Sequence, residues 1–169
     1  MKVLLLFCLT LCFGTIVNSQ SRKADKKTNQ KEKFMTKLVK GTFEVKMTPL
    51  AVEEAVGDPT IGRLGMTKQF AGDLVGTSNG QMLGTQSAAV EGSGGYVAME
   101  RFTGTLGGKK GSFILQHIGT MQGGMFDLNV MVVPDSGAGE LAGIVGKMKI
   151  IIEGSKHLYE FDYSLPLSK

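Results

Sequence analysis

Tryptophan is absent from this chain, proline occurs only 4 times, and the only cysteines, 2 in number, are Cys8 and Cys12. Both cysteines fall within the first 19 residues, so the remainder has no disulfide to lean on and must rest on a hydrophobic core. The lack of further cysteine also removes the thiolate sets of zinc sites. The histidines are His117 and His157, and neither has a ligand-like neighbour at zinc spacing. No acidic calcium loop occurs either. No metal and no cofactor are expected.

Long apolar runs are missing as well. Val3 to Ile16 is almost wholly apolar but falls short of the ~18–20 residues that a spanning helix needs. It follows the basic start Met1-Lys2 and precedes Val17-Asn18-Ser19, a small-residue cleavage pattern. Residues 1–19 therefore read as a secretory signal peptide cleaved after Ser19, and the expected location is secreted or periplasmic, without stable membrane insertion after cleavage.

The formal net charge is +4, but it is unevenly spread. Residues 20–40 hold 8 Lys/Arg against 2 Asp/Glu, whereas from Gly41 onward there are 10 Lys/Arg against 13 Asp/Glu. Residues 20–37 are read as a basic, flexible arm, a solvated spacer without sustained apolar period. The domain expected at 38–169 is slightly acidic and lacks the basic face of a nucleic-acid binder.

What the sequence does have is alternation. Val39, Gly41, Phe43, Val45 and Met47 alternate with polar residues, and so do Leu64, Met66, Lys68 and Phe70. Further strand-like runs follow at 74–85, 126–133, 147–153 and 157–165, divided by glycine-rich turns. The strongest signal is Gly94 to Met121, two long arms about Gly107-Gly108-Lys109-Lys110-Gly111, a β-hairpin with its turn expected at Gly108–Lys110. The 24 glycines sit at turns and strand bends rather than in runs. Residues 134–146 are the least strand-like part and read as a turn with a short coil or single helical turn. Eight strands in consecutive hairpins predict an all-β, eight-stranded antiparallel β-barrel, with a β-sandwich as the rival.

Two motifs offer chemistry and fail on context. Gly76-Thr77-Ser78-Asn79-Gly80 matches the Gly-x-Ser-x-Gly pattern of a nucleophile elbow, but it lies inside a strand of an all-β chain. Gly137 to Gly143 resembles a dinucleotide loop with the wrong spacing and no βαβ unit around it. Neither a hydrolase nor a nucleotide-binding function is supported, and catalytic residues stay unknown.

The inward set remains. With the apolar face of each strand turned inside, Lys68, Glu100, His117 and Tyr159 turn inside too, beside Tyr96 and Phe102. Buried charges are costly unless paired. Glu100 and His117 are expected nearly opposite or diagonal across the hairpin, with Lys68 and Tyr159 as neighbours. Two readings stay open. The network is a satisfied structural one in a filled barrel, or these six residues line an interior that binds a small apolar or amphipathic ligand. A cyclase or isomerase using the same pocket is the enzymatic alternative, and association of barrels through outer faces is left open.

The segments GTFEVKM, LGMTKQFAGDLVGTSNGQML, GGYVAMERFTGTLGGKKGSFILQHIGTM and VVPDSGAGELAGIVGKM, with Ser155 to Leu165, resemble the bacterial domain-of-unknown-function family 3224, in colinear order over residues 38–166. The resemblance implies an allene oxide cyclase-like, calycin-like barrel, similar in shape to plant allene oxide cyclases and dirigent proteins. It carries no functional residues over, and likeness of fold does not transfer the cyclisation or radical-orienting work of those proteins.

Overall fold

The computed structural model of the chain describes residues 34–51 and 57–167. The signal peptide expected at 1–19 and residues 20–33 of the arm lie outside them. Nine strands follow in order: β1 (Phe34–Leu50), β2 (Gly62–Gly72), β3 (Leu74–Gln86), β4 (Gly94–Leu106), β5 (Lys109–Gln122), β6 (Met125–Val132), β7 (Ala138–Gly139), β8 (Val145–Glu153) and β9 (Lys156–Pro166). No helix occurs among the described residues.

Each strand pairs antiparallel with its neighbours in the order β4-β3-β2-β1-β9-β8-β6-β5, and a β4–β5 pairing closes the ring. The eight-stranded antiparallel barrel is therefore the fold, and the sandwich is excluded, because the strands form one continuous ring and not two sheets. The β6–β8 joint is the thinnest, held in register only by Val130↔Met148 and Met131↔Lys147.

Three local expectations need correction. β1 begins at Phe34, inside the stretch read as arm, because Phe34 to Lys37 pair with Tyr163 to Pro166 of β9. The hairpin turns at Gly107 and Gly108 rather than at Gly108–Lys110, and Lys109 already opens β5. Both glycines have positive φ, 57° and 82°, the backbone that a two-residue hairpin turn of the right twist demands and that only glycine adopts freely. At 133–144, where a turn with a short coil or single helical turn is expected, turns flank the two-residue strand β7, paired to Gly111 and Ser112 of β5.

Strand direction sorts the connections into two ends. The β2–β3 and β4–β5 turns and the 133–144 connection lie at one end, and residues 57–61, 87–93, 123–124 and 154–155 lie at the other, called here the mouth. The end opposite the mouth is sealed. Leu74, Leu106, Leu141, Ile144, Tyr163 and Leu165 are buried there, and Glu140 ties the connection to β5 by accepting from the Lys110 N–H at 2.8 Å. Above them runs a continuous aromatic chain. Ring centroids are 5.4 Å apart for Phe43–Phe70, 5.8 Å for Phe70–Phe102, 5.1 Å for Phe102–Phe113 and 5.6 Å for Phe113–Phe161. Such pairs add ~0.5–1.5 kcal/mol each beyond their burial, so this half of the barrel is a packed core.

Candidate functional site

Directly above the aromatic chain, on the β2–β5 side of the interior, the polar side chains gather. Lys68 and Ser78 are register partners across β2 and β3. Glu100 on β4 lies one step diagonal from Ser78, whose own partner is Phe102. His117 on β5 lies one further step diagonal, because Glu100 pairs with Leu115 and Ala98 with His117. The tilt of barrel strands, ~35–45° to the axis, brings such diagonal neighbours to one level.

Three of these side chains converge on the carboxyl group of the fourth, Glu100. Lys68 Nζ donates to Glu100 Oε1 at 2.7 Å, His117 Nε2 stands 2.8 Å from the same oxygen, and Ser78 Oγ donates to Oε2 at 2.5 Å. All four residues are buried, with Glu100 1% exposed. Burial pushes the Glu100 carboxyl up, but the His117 hydrogen bond, the Lys68 charge and the remaining contacts of both outweigh it and hold the group at about 2 against an ordinary 4.5. Glu100 is thus an ionised, acceptor-only group. It follows that His117 Nε2 carries the hydrogen that points at it, and in the neutral imidazole the lone pair sits on Nδ1. Lys68 is held from the other side by aromatic faces, its Nζ lying 4.9 Å from the Phe43 ring centroid and 5.9 Å from that of Phe70.

Glycine makes the site possible on β3. A Cβ at Gly80 would stand 2.7 Å from the Glu100 Cβ and collide with the Met99 carbonyl. The bend expected at this glycine is thus also a space, one that lets β4 bring its carboxylate against β3.

Of the six residues read as lining the interior, Lys68, Glu100 and His117 are brought together as expected. Tyr96 lies mouthward of them. Its ring covers Gly119, where a Cβ would collide with it, and stacks at 6.4 Å and 14° on Phe126. Burial first and the Glu100 charge second push its hydroxyl up. Phe102 is fully enclosed in the aromatic chain. Tyr159 is not a neighbour of the pair. Its hydroxyl accepts from the Leu74 N–H at 2.9 Å and donates to the Ala71 carbonyl at 3.3 Å, clamping the β2–β3 turn. The residue missed from the sequence is Ser78. It shares the inward parity of Leu74 and Met82, and that parity was the available signal.

The inward face changes character at this level. Below it the side chains are sealed. Above it Leu64, Met82, Tyr96, Met121 and Leu128 are half-buried and Phe126 is 49% exposed. These inward positions make the mouth end of the inner face apolar and partly exposed, here the cup, with the polar cluster one level deeper. A separate groove of about 720 Å³ runs along the outer wall, between Ile61 and the outward side chains Arg63, Leu83, Val97 and Met99. The side chains of Arg63, Leu83, Val97 and Met99 belong to the strand parity opposite to that of the cluster, so the polar chemistry lies on the inner face. Among the described residues no group of three or more His, Cys, Asp or Glu side chains is gathered as a metal site.

The sequence matches the family described as "Protein of unknown function (DUF3224)" over residues 39–163. The chain belongs to DUF3224. A solved DUF3224 protein of unknown function from Shewanella oneidensis MR-1 is similar at 44% identity, covering 79% of this chain and 100% of that one, with a TM-score of 0.72. No curated protein matches the chain. The DUF3224 match runs from β1 to β9 and includes all four members of the cluster.

Proposed function

We propose that this DUF3224 protein is an exported barrel that binds a small apolar or amphipathic molecule in the cup above the Lys68–Ser78–Glu100–His117 cluster. The observation that carries the reading is the break along the inward face. One half of the barrel is filled with interlocked aromatic rings, and the other presents solvent-reachable apolar side chains over buried polar groups. A barrel built only to be filled has no need of that asymmetry, and small-molecule sites combine apolar walls with a few convergent polar groups. Export rests on the segment Met1–Ser19.

The absence of tryptophan supplies the test. A Phe126→Trp variant carries a single indole at the mouth, and its emission should shift in a saturable way as medium-chain amphipathic compounds are added. A Met82→Trp substitution in the same variant, which fills the cup, should abolish the saturable response. No saturable shift with any such compound would leave the barrel a filled structural element. N-terminal sequencing of the exported protein checks cleavage after Ser19. The enzymatic reading, a cyclase or isomerase, is favoured by one contact, the 2.8 Å approach of Glu100 to His117 Nε2. A carboxylate that fixes an imidazole in this way leaves the other ring nitrogen as a base, and conversion of a bound compound would reveal it.

A further inference from the structure

Resting on that binding reading, we propose that the group recognised at the floor of the cup is uncharged: the ligand presents a neutral hydroxyl to His117 and Lys68, not a carboxylate or phosphate. The argument is one of charge and of hydrogen-bonding capacity. The Lys68 and Glu100 charges offset one another, since the two groups stand 2.7 Å apart and both are buried. Among the described residues no second lysine or arginine shares the inner face at the level of the cluster or mouthward of it. Arg63, Arg101, Lys147 and Lys149 occupy outward strand positions, and His157, on the inward side near the mouth, packs its ring on Phe43 at 5.2 Å. An anion seated here would lose its water beside the Glu100 carboxylate, whose charge already balances that of Lys68, and burial of an anion without a counter-charge of its own is costly.

A hydroxyl meets no such penalty. The Glu100 oxygens already accept from three donors. The capacity left over in the cluster is, in the neutral imidazole, the His117 Nδ1 lone pair, together with the ammonium hydrogens that Lys68 does not give to Glu100. A hydroxyl both donates and accepts, so it answers either group without bringing a charge into the site. The Tyr96–Phe126 stack and the methionines of the cup then hold the apolar remainder of the molecule.

Calorimetric titration of the wild-type protein with 1-decanol and with decanoate near neutral pH compares two probes of equal chain length and different head. Decanol should bind tighter by about tenfold or more, as the cost of desolvating an unpaired carboxylate requires. Decanoate binding equally or more tightly overturns the inference and leaves the binding reading standing. Failure of both probes, with no saturable response in the Phe126→Trp variant, overturns the binding reading itself. Glu100→Gln frees the Lys68 charge, so a folded variant should shift its preference toward decanoate. An unchanged preference there overturns charge balance as the cause of selectivity. The wild-type comparison decides the matter even where that variant does not fold.

Discussion

Lys68 and Glu100, 32 residues apart in the chain, meet at 2.7 Å inside the barrel, with side chains only 3% and 0% exposed. A pair so placed is costly to break from one side, because the partner left behind is a buried charge without a counter-charge.

Glu100→Gln should therefore destabilise the fold by ~3–5 kcal/mol. The double variant Lys68→Met/Glu100→Gln should recover much of that loss, since it removes the orphaned cation as well. Urea unfolding of the two single variants and the double closes the cycle. Additive losses would show that the pair is not coupled.

Acid should act on the same group. Its folded value is depressed, to about 2 from an ordinary 4.5, so its contribution to stability is complete above about 4.5 and is lost as pH falls from there through about 2. At ~1.4 kcal/mol per pH unit of displacement the loss is of the order of a few kcal/mol. The unfolding free energy of the wild type should fall across this window, and that of Glu100→Gln should fall less. Equal slopes would contradict the assignment.

Tyr159→Phe separates architecture from binding. It removes the hydroxyl that bonds Leu74 and Ala71 and leaves a buried N–H short of its partner, at ~1–3 kcal/mol. Thermal unfolding should register the loss, while probe affinity in the cup stays at the wild-type value. A drop in affinity at unchanged stability would place Tyr159 in the site after all.

Gly80→Ala should disturb the cluster from behind. The added methyl meets the Glu100 Cβ and the Met99 carbonyl, and overpacking of this kind costs ~1–3 kcal/mol. The His117 ring resonances should shift in the NMR spectrum as β4 is pushed away. Unchanged resonances would mean that β3 and β4 part elsewhere.

Much of this was legible in the chain, and the limits have physical causes. Side-chain alternation on β4 and β5 placed Glu100 and His117 on the inner face, because strand parity is a local property. Their offset was not fixed, since the Gly107–Gly111 stretch offers several turn positions and each sets a different register. Ser78 was passed over because a small hydroxyl carries no hydrophobic signal and its flanking glycines pointed to an unrelated motif. Tyr159 had the right face and the wrong neighbours. Depth along a barrel depends on strand tilt and stagger, which belong to the closed ring and to no single strand.

The two-pair joint between β6 and β8 has a consequence for how the ring comes apart. A cylinder opened along one line becomes a flat ribbon with two raw margins, and opening here sacrifices the fewest cross-strand bonds. Local loosening of the protein should start there, ahead of any global melting. The margins so bared carry Asp127 on β6 and Lys147 and Lys149 on β8. Charged side chains on a bared edge discourage a stranger's backbone from docking, so the line of easiest rupture is also armed against mispairing.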